Sequence, residues 1–415
     1  MGTKIQTLPG FRDFYPESCA VRNYLFDAWR RVVARYRFSE WEGPTLELTD
    51  LYRKKSGDEI TDQLFCFVDK SKKQREVSMR PELTPTLARM AAARQRDYRK
   101  PMRWFSIGAF WRYEKQQRGR LREFYQFNCD AIGDAAPEID AELIAIAIDI
   151  MRELGFTKND FVIRVSDRSA WMDWIANQGI EDAPAFLQVI DKLEREPEEK
   201  TEEQLKALGS SLQAVKEFMA SDEEVSSRMP TIRKSLAARG LDEFLRWDLG
   251  IVRGLAYYTS TVFEIFDIGK GMRAVAGGGR YDNLLELIGG ADLPAAGFAM
   301  GDVVIGDLIE ETPAAKAKRD KWLGEQSSID VFVIIASEDQ RPEALAGVQQ
   351  LRDAGLRVDY ALTPAKVGKQ FQAAEQAGAQ KAVIYGDEFP KVKVKTLADR
   401  SEVEVDAQQL LEQFA

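Results

Sequence analysis

Residues 103–132, with the sequence RWFSIGAFWRYEKQQRGRLREFYQFNCDAI, decide the fold of this chain. Two apolar stretches, 103–113 and 121–132, flank the polar and basic segment 114–120, which predicts an antiparallel hairpin with a basic loop. Arginine side chains are always charged and donate hydrogen bonds in pairs, so such a loop suits contact with phosphate or nucleic acid. A solvated turn with balanced charges is the alternative.

Patterns of apolar residues continue on both sides of this hairpin. They recur at helical spacing over residues 18–36 and 138–154, which predicts two amphipathic helices. Residues 168–243 are rich in Glu, Lys, Ala and Gln, which predicts a helical insertion. Composition typical of strands resumes at 249–252 and 257–264.

The C-terminal part of the chain follows a different pattern. Residues 311–328 are charged and poor in large apolar residues, which predicts a linker. Predicted strands and helices then alternate: strands at 330–336, 356–362, 381–386 and 391–397, and helices at 340–354, 366–377 and 406–414. This alternation is typical of a small α/β domain with a mostly parallel sheet.

The composition excludes several classes of protein. The 415-residue chain has no histidine, which excludes Ser-His-Asp triads and histidine-based zinc sites. Its three cysteines, Cys19, Cys66 and Cys129, are too far apart for a disulfide framework or a zinc knuckle. A net charge of −9 does not favour a dedicated DNA-binding protein. Because there is neither an apolar signal core nor a run of the ~20 apolar residues that span a bilayer, we expect a cytoplasmic protein without membrane contact.

Two segments near position 260 carry groups suited to a ligand. Arg253 follows an apolar stretch, so a sheet would project its guanidinium into a cleft, and an ordinary salt bridge at a strand end is the alternative. Tyr257 and Tyr258 would point to opposite faces of a strand, one into the core and one toward a ligand. The run Gly277–Gly279 would allow a ligand to approach the backbone closely, unless it is only a turn.

Glu82 and Thr84 belong to another segment of this kind. Two residues apart on an extended chain, they would share one face and could hold an ammonium group, or they belong to a polar loop between two prolines. Acceptors for an ammonium group, well-placed arginines and a glycine-lined wall together suit an amino acid plus a nucleoside triphosphate. In-line attack on phosphorus depends on positioning and charge stabilisation more than on acid–base groups, so a chain without histidine could catalyse it.

In sequence order, these segments resemble the signatures of the histidyl-tRNA synthetase family, a class II aminoacyl-tRNA synthetase family. The resemblance covers essentially the whole chain. The matching segments are the N-terminal signature Gly10–Pro16, motif 1 at Trp41–Glu47 with Pro44 at the dimer interface, motif 2 at Arg103–Asp130, the two histidine-specific peptides Arg253–Glu264 and Ala276–Asp282, the start of motif 3 at Gly297–Gly301, and Lys366–Phe371 of the anticodon-binding domain.

This resemblance implies an α+β catalytic domain over residues 1–325, with a six-stranded antiparallel sheet and the helical insertion at about 168–243. It implies a C-terminal α/β anticodon-binding domain over residues 329–415. It also implies a homodimer that uses ATP and Mg²⁺ to attach L-histidine to tRNA(His) through a histidyl-adenylate.

The resemblance assigns six residues to histidine binding. The set that holds the α-amino group is Glu82, Thr84 and Gln126, and the set that binds the imidazole is Asp130, Tyr258 and Tyr281. An imidazole ring needs a donor and an acceptor on opposite sides, which a phenol and a carboxylate supply.

The resemblance assigns three residues to ATP and two to tRNA. Arg112, Glu114 and Arg253 would bind ATP, and both arginines would act as catalytic residues at the α-phosphate. Gln117 and Arg118 of the motif 2 loop would approach the acceptor end of tRNA.

Three positions depart from the family pattern. Val304 stands where motif 3 normally has the arginine that clamps the ATP tail, and the neighbouring Asp302 is a candidate Mg²⁺ ligand instead. Ala256 stands where many members have Asp, and Asp130 is one methylene shorter than the usual Glu.

Two other functions are compatible with parts of the sequence. One is a non-catalytic, histidine-binding relative, as in the regulatory subunit of ATP phosphoribosyltransferase, which lacks the C-terminal domain. The other is an RNA-binding protein that uses only that C-terminal domain, and this would leave the two histidine-specific peptides unexplained.

Overall fold

An eight-stranded sheet organises the larger of two compact units, Met1–Arg319. The computed structural model describes residues 5–53, 62–115, 117–253 and 257–414. In chain order, the elements up to the end of this unit are α1 (Pro16–Arg35), β1 (Ser39–Glu40), β2 (Leu46–Leu48), α2 (Thr49–Arg53), β3 (Cys66–Val68), β4 (Glu76–Met79), α3 (Thr84–Arg94), β5 (Met102–Trp111), β6 (Glu123–Ile132), α4 (Pro137–Glu153), β7 (Phe161–Asp167), α5 (Arg168–Asn177), α6 (Ala183–Lys192), α7 (Glu198–Ala207), α8 (Leu212–Met219), α9 (Met229–Ala237), β8 (Leu245–Trp247), β9 (Thr261–Asp267), β10 (Ala276–Arg280), α10 (Leu284–Gly289), β11 (Ala295–Gly301), α11 (Asp302–Glu310) and α12 (Pro313–Ser327).

The strands of the large sheet follow the order β1-β5-β6-β11-β10-β9-β7-β8. The six central strands pair antiparallel, which confirms the expected antiparallel sheet. The short edge strands β1 and β8 pair parallel to their neighbours, so the sheet has two more strands than expected. A separate three-stranded sheet, β2-β4-β3, lies nearby in the sequence.

The predicted hairpin is confirmed as β5 and β6, which pair from Met102–Ile132 to Trp111–Glu123. Side chains alternate across β6, as the period of a strand requires. Phe127 is fully buried and stacks on Trp29 of α1, with ring centroids 5.6 Å apart. The side chains on either side of it face the opposite way, so the face of the sheet away from α1 carries the polar groups of this strand.

The helical predictions near the hairpin are confirmed. Helices α1 and α4 cover residues 16–35 and 137–153, and each has a proline in its first turn, where no backbone donor is needed. The helical insertion is also confirmed, since α5 to α9 occupy it. Its helices share an apolar core in which the Trp171 and Phe218 rings lie 4.7 Å apart, edge to face.

Three predictions in this part of the chain are wrong. The strand expected at 249–252 is absent, and the short strand β8 precedes it, because the Gly250 amide donates to Asp248 Oδ1 at 3.0 Å and bends the chain. The next strand begins at Thr261 rather than at 257. The predicted linker at 311–328 is largely the helix α12, since alanine and lysine are good helix formers and Pro313 starts it.

The second compact unit is Asp320–Ala415. Its elements after α12 are β12 (Val331–Ile335), α13 (Arg341–Asp353), β13 (Val358–Tyr360), α14 (Val367–Gln376), β14 (Lys381–Tyr385), β15 (Lys391–Thr396), β16 (Glu402–Asp406) and a final 3₁₀ helix, Ala407–Phe414. Buried Gln370 of α14 fastens that helix to β12, because its side chain bonds to both the amide and the carbonyl of Ile335 at 2.9 and 2.8 Å.

The α/β prediction for this unit is correct in its strand–helix alternation and wrong in two details. Strands β13, β12 and β14 are parallel, but β15 and β16 continue antiparallel, so the sheet is mixed rather than mostly parallel. Strand β16 was missed, although its alternating Glu-Val-Glu-Val sequence has the period of a strand. In the part of the chain that the structure describes, no helix is both long and apolar enough to cross a membrane.

Candidate functional site

A narrow cavity of about 60 Å³ opens on the face of the large sheet away from α1. All eight residues expected to contact histidine or the α-phosphate line it: Glu82, Thr84, Arg112, Gln126, Asp130, Arg253, Tyr258 and Tyr281. They come from strands and loops that are far apart in the chain. The pleat of β6 explains part of this arrangement, because Gln126, Asn128 and Asp130 are alternate residues and face the same way.

A carboxylate and a phenol meet in the wall of the cavity. The Tyr281 hydroxyl donates to Asp130 Oδ1 at 2.5 Å, and both side chains are buried. Burial, and then the nearby Asp130 charge, raise the pKa of Tyr281 well above its usual value, so this phenol remains a donor. Gly297 leaves room for the carboxylate, since a Cβ there would lie 2.6 Å from Asp130 Cγ.

Arg253 also lines the cavity and has an uncommon backbone conformation. Its φ is 57°, in the left-handed region that non-glycine residues rarely adopt, and such strain is often found at functional sites. Its Nη1 forms an ion pair with Glu264, and its guanidinium lies 5.7 Å from the centre of the Tyr258 ring. Burial alone would lower the pKa of Arg253, but Tyr258 and Glu264 outweigh it and raise the pKa, so the group stays charged.

The glycine run is a strand, so the alternative of a simple turn is wrong. Gly277, Gly278 and Gly279 are interior residues of β10. A Cβ on Gly277 would come 2.7 Å from Arg253 Cζ, and one on Gly279 would come 2.9 Å from the Tyr258 ring. The run therefore makes room for side chains of the cavity wall.

Arg112 supplies a second cation at the cavity. Its Nε donates to the Pro81 carbonyl at 2.9 Å, and its guanidinium lies 5.4 Å from the centre of the Phe124 ring. Among the described residues, Arg112 forms no ion pair with a carboxylate, so its charge is available to an anion. Glu82 and Thr84 also line the cavity, but Thr84 begins α3, so the extended conformation expected for the pair is wrong.

Two lining residues differ from what the sequence predicted. Tyr257 and Tyr258 both line the cavity, with ring centroids 4.7 Å apart, because they lie in a turn rather than in a strand. Asn128 was missed, although its position between Gln126 and Asp130 on the same face of β6 could have indicated it.

The loop residues Glu114, Gln117 and Arg118 are not among those that line this cavity. The buried Glu114 carboxylate forms an ion pair with Arg120, whose Nε lies 2.7 Å from Glu114 Oε2. Gln117 and Arg120 pair through their backbones, and Arg118 forms an ion pair with Glu311 just after α11. The loop is thus folded back toward α11.

Asp302, the candidate metal ligand, is already engaged. Arg12 Nη2 donates to one carboxylate oxygen at 2.7 Å and the Tyr125 amide donates to the other at 2.9 Å. Burial raises the pKa of Asp302 in opposition to Arg12. These bonds join the N-terminal signature to β6 and α11, which is a structural role and disfavours Mg²⁺ binding. Across the ranges that the structure describes, no three acidic or cysteine side chains cluster in a way that could hold a metal ion. Ala256 lies outside the described residues.

The chain is similar to proteins of known function along nearly all its length. A family model described as histidyl-tRNA synthetase matches residues 10–302, and an anticodon-binding domain model matches residues 330–415. A histidine–tRNA ligase from Opitutus terrae is 42% identical, with 98% of this chain and 97% of that protein covered. One from Haloarcula marismortui is 36% identical, with 96% and 95% covered. The crystal structure of a histidyl-tRNA synthetase from Nostoc sp. PCC 7120 superposes with a TM-score of 0.76 at 25% identity, covering 99% of both chains.

Proposed function

The chain belongs to the histidyl-tRNA synthetase family of class II aminoacyl-tRNA synthetases, and we propose that it activates histidine with ATP in the cavity lined by β6, β10 and β11. As a member of that family it is a ligase that attaches histidine to tRNA. The observation that carries the assignment of the site is the convergence of two arginines, the Asp130–Tyr281 pair and the Glu82–Thr84 pair on one cavity.

Two groups of polar residues that line this cavity would recognise histidine. The imidazole would bind at Asp130, Tyr258 and Tyr281, where a carboxylate can accept from one ring nitrogen and a neutral phenol can donate to the other. The α-ammonium group would bind at Glu82, Thr84 and Gln126. This places the substrate carboxylate toward the arginines.

Adenylate formation needs positive charge around one phosphorus atom. A carboxylate oxygen of histidine attacks the α-phosphorus of ATP, a P–O bond forms, and the bond to the β-phosphate breaks to release pyrophosphate. Arg112 and Arg253 would stabilise the added charge on the α-phosphate, and Glu114 would contribute to ATP binding from the adjoining loop. Mg²⁺ would arrive with ATP, because phosphate oxygens are among its preferred ligands.

Transfer to tRNA involves groups outside the cavity. Gln117 and Arg118 lie on the loop after β5 and would contact the acceptor end, while the unit Asp320–Ala415 would bind the anticodon of tRNA(His). The free cysteines are compatible with a reducing cytoplasm as the site of action.

A homodimer is supported by the small sheet β2-β4-β3. This sheet exposes large apolar side chains that are between 46% and 58% accessible: Leu46, Leu48 and Phe67 on one face and Val68 on the other. A monomer of this size would rarely leave such side chains uncovered. We propose that a second copy of the chain covers them. Sedimentation equilibrium of the wild type and of a Leu48→Glu variant tests this, and a monomeric wild type would contradict it.

Aminoacylation with radiolabelled histidine tests the proposed function. Purified protein with Mg-ATP should charge a tRNA(His) transcript and leave a non-cognate transcript uncharged. Binding of histidine without charging would favour the regulatory alternative. Binding of tRNA without histidine binding would favour an RNA-binding protein.

A further inference from the structure

Arg273 lies in the loop between β9 and β10, near the residues that follow β11. The Met272 amide donates to Asp267 Oδ1 at 2.7 Å, which fixes this loop to the end of β9. Strand β10 begins at Ala276, opposite Met300. Because the two strands are antiparallel, the residues just before Ala276 run beside the start of α11.

Three elements meet at this point. A Cβ built on Gly119 of the β5–β6 loop would lie 3.2 Å from Val304 Cγ2 and 3.8 Å from Arg273 Cδ. Gly119 has a φ of +73°, so the turn of the loop brings its backbone against α11. Arg273 therefore lies beside Val304. In the family pattern, the position of Val304 would be an arginine.

The charges around Arg273 are unbalanced. The Glu114 carboxylate is already paired with Arg120, whose Nε lies 2.7 Å from Glu114 Oε2. Within the described part of the chain, Arg273 forms no ion pair, and the residue is exposed to solvent. Partial burial lowers the pKa of Arg273, and the nearby Arg120 lowers it further against the opposing influence of Glu114. Two guanidinium groups that repel each other beside one carboxylate create a site for an anion.

We propose that Arg273 binds the β- and γ-phosphates of ATP and takes over the role of the arginine that Val304 replaces. The proposal rests on the proposed function, because it needs ATP in the cavity with its α-phosphate at Arg112 and Arg253. Glu264, the ion-pair partner of Arg253, is near enough to Arg273 to affect its pKa.

The test compares Arg273→Ala and Arg273→Lys with Lys270→Ala. Lys270 belongs to the same loop and carries the same charge, but its Nζ is bonded to Thr312. Equilibrium binding of Mg-ATP and of AMP is measured by calorimetry, and histidine-dependent ATP/pyrophosphate exchange gives the KM for ATP without any tRNA. Arg273→Ala should weaken ATP binding and raise that KM about 10- to 100-fold, the usual effect of losing a charged hydrogen bond. AMP binding should be unchanged, Arg273→Lys should recover part of the loss, and Lys270→Ala should resemble the wild type.

Two results would overturn the proposal and leave the proposed function intact. One is an Arg273→Ala variant with the wild-type KM for ATP. The other is a variant with normal exchange and a raised KM for tRNA, which would assign Arg273 to RNA. A wild-type protein without histidine-dependent exchange would instead contradict the proposed function itself.

Discussion

Substitution of Gly277 by alanine tests whether the glycine strand positions Arg253. The added Cβ would lie 2.7 Å from Arg253 Cζ and 3.2 Å from Glu264 Cγ. Ordinary carbon contacts are about 3.5 Å or longer, so the guanidinium must retreat by at least ~0.8 Å. The obstacle is the end of a flexible side chain rather than backbone, so the fold can absorb the methyl group by moving this arginine.

The expected effect is on the reaction rather than on the fold. Displacement of a positioning group by about 1 Å can cost roughly 10²-fold in rate. We therefore expect Gly277→Ala to lower kcat for histidine-dependent exchange about 100-fold. The histidine Kd should change by less than about threefold, since Asp130 and Tyr281 lie elsewhere on the cavity wall.

Exchange kinetics, histidine titration calorimetry and thermal unfolding are measured on Gly277→Ala and on Gly301→Ala. Gly301 is the matched control, because a Cβ there would meet no atom within 4 Å. Exchange by Gly277→Ala at the wild-type rate would refute the steric reasoning. A loss of Tm comparable to that of a core mutation would show that the strand, rather than the arginine, yields to the methyl group.

Three further changes have outcomes that the structure specifies. Arg253→Ala should slow exchange by roughly 10²–10³-fold, the usual cost of removing a group that stabilises transition-state charge, with histidine binding kept; an unchanged rate would remove Arg253 from the mechanism. Asp140→Asn should lower the free energy of unfolding, measured by urea titration, by about 3–5 kcal/mol. The Asp140 carboxylate forms ion pairs with Arg228 at 2.6 Å and with Arg280 at 2.7 Å, and the Arg280 side chain is 0% exposed. A loss of less than ~1 kcal/mol would contradict this prediction. Burial raises the pKa of Tyr24 from 10.0 to about 12, so its contribution to stability is complete below pH 10 and is lost as pH rises toward 12. Tyr24→Phe should therefore show a shallower loss of stability than the wild type between about pH 9 and 11, and equal slopes would contradict this.

Local patterns in the sequence predict much of the fold because they record burial directly. The apolar residues of β6 alternate, and those of α1 recur at helical spacing, because one face of each element packs against the other. The stacked rings of Phe127 in β6 and Trp29 in α1 show this contact. The same logic fails where polarity misleads. Helix α12 has few large apolar residues, so its sequence resembles a linker, yet Ala315 and Arg319 are buried.

The sequence predicts which residues belong to the candidate site, but it does not predict how their side chains are arranged in space. Most of the site's polar members lie on segments that resemble family motifs and were named from the sequence, whereas Asn128 was missed. The functions of Gly277 and Gly297 depend on side chains that approach from other strands, which no local pattern encodes. The bond between Arg12 and Asp302 joins positions 290 residues apart, and it gives Asp302 a structural role that the sequence did not indicate.

The most direct test of the central claim is histidine-dependent ATP/pyrophosphate exchange by the purified wild-type protein with Mg²⁺, run against a panel of other amino acids. Exchange with histidine alone is the predicted result. It would establish adenylate formation and show that Val304 is tolerated in motif 3. The absence of exchange with every amino acid, from protein whose folding is verified by circular dichroism, would contradict the assignment of the cavity to histidine activation.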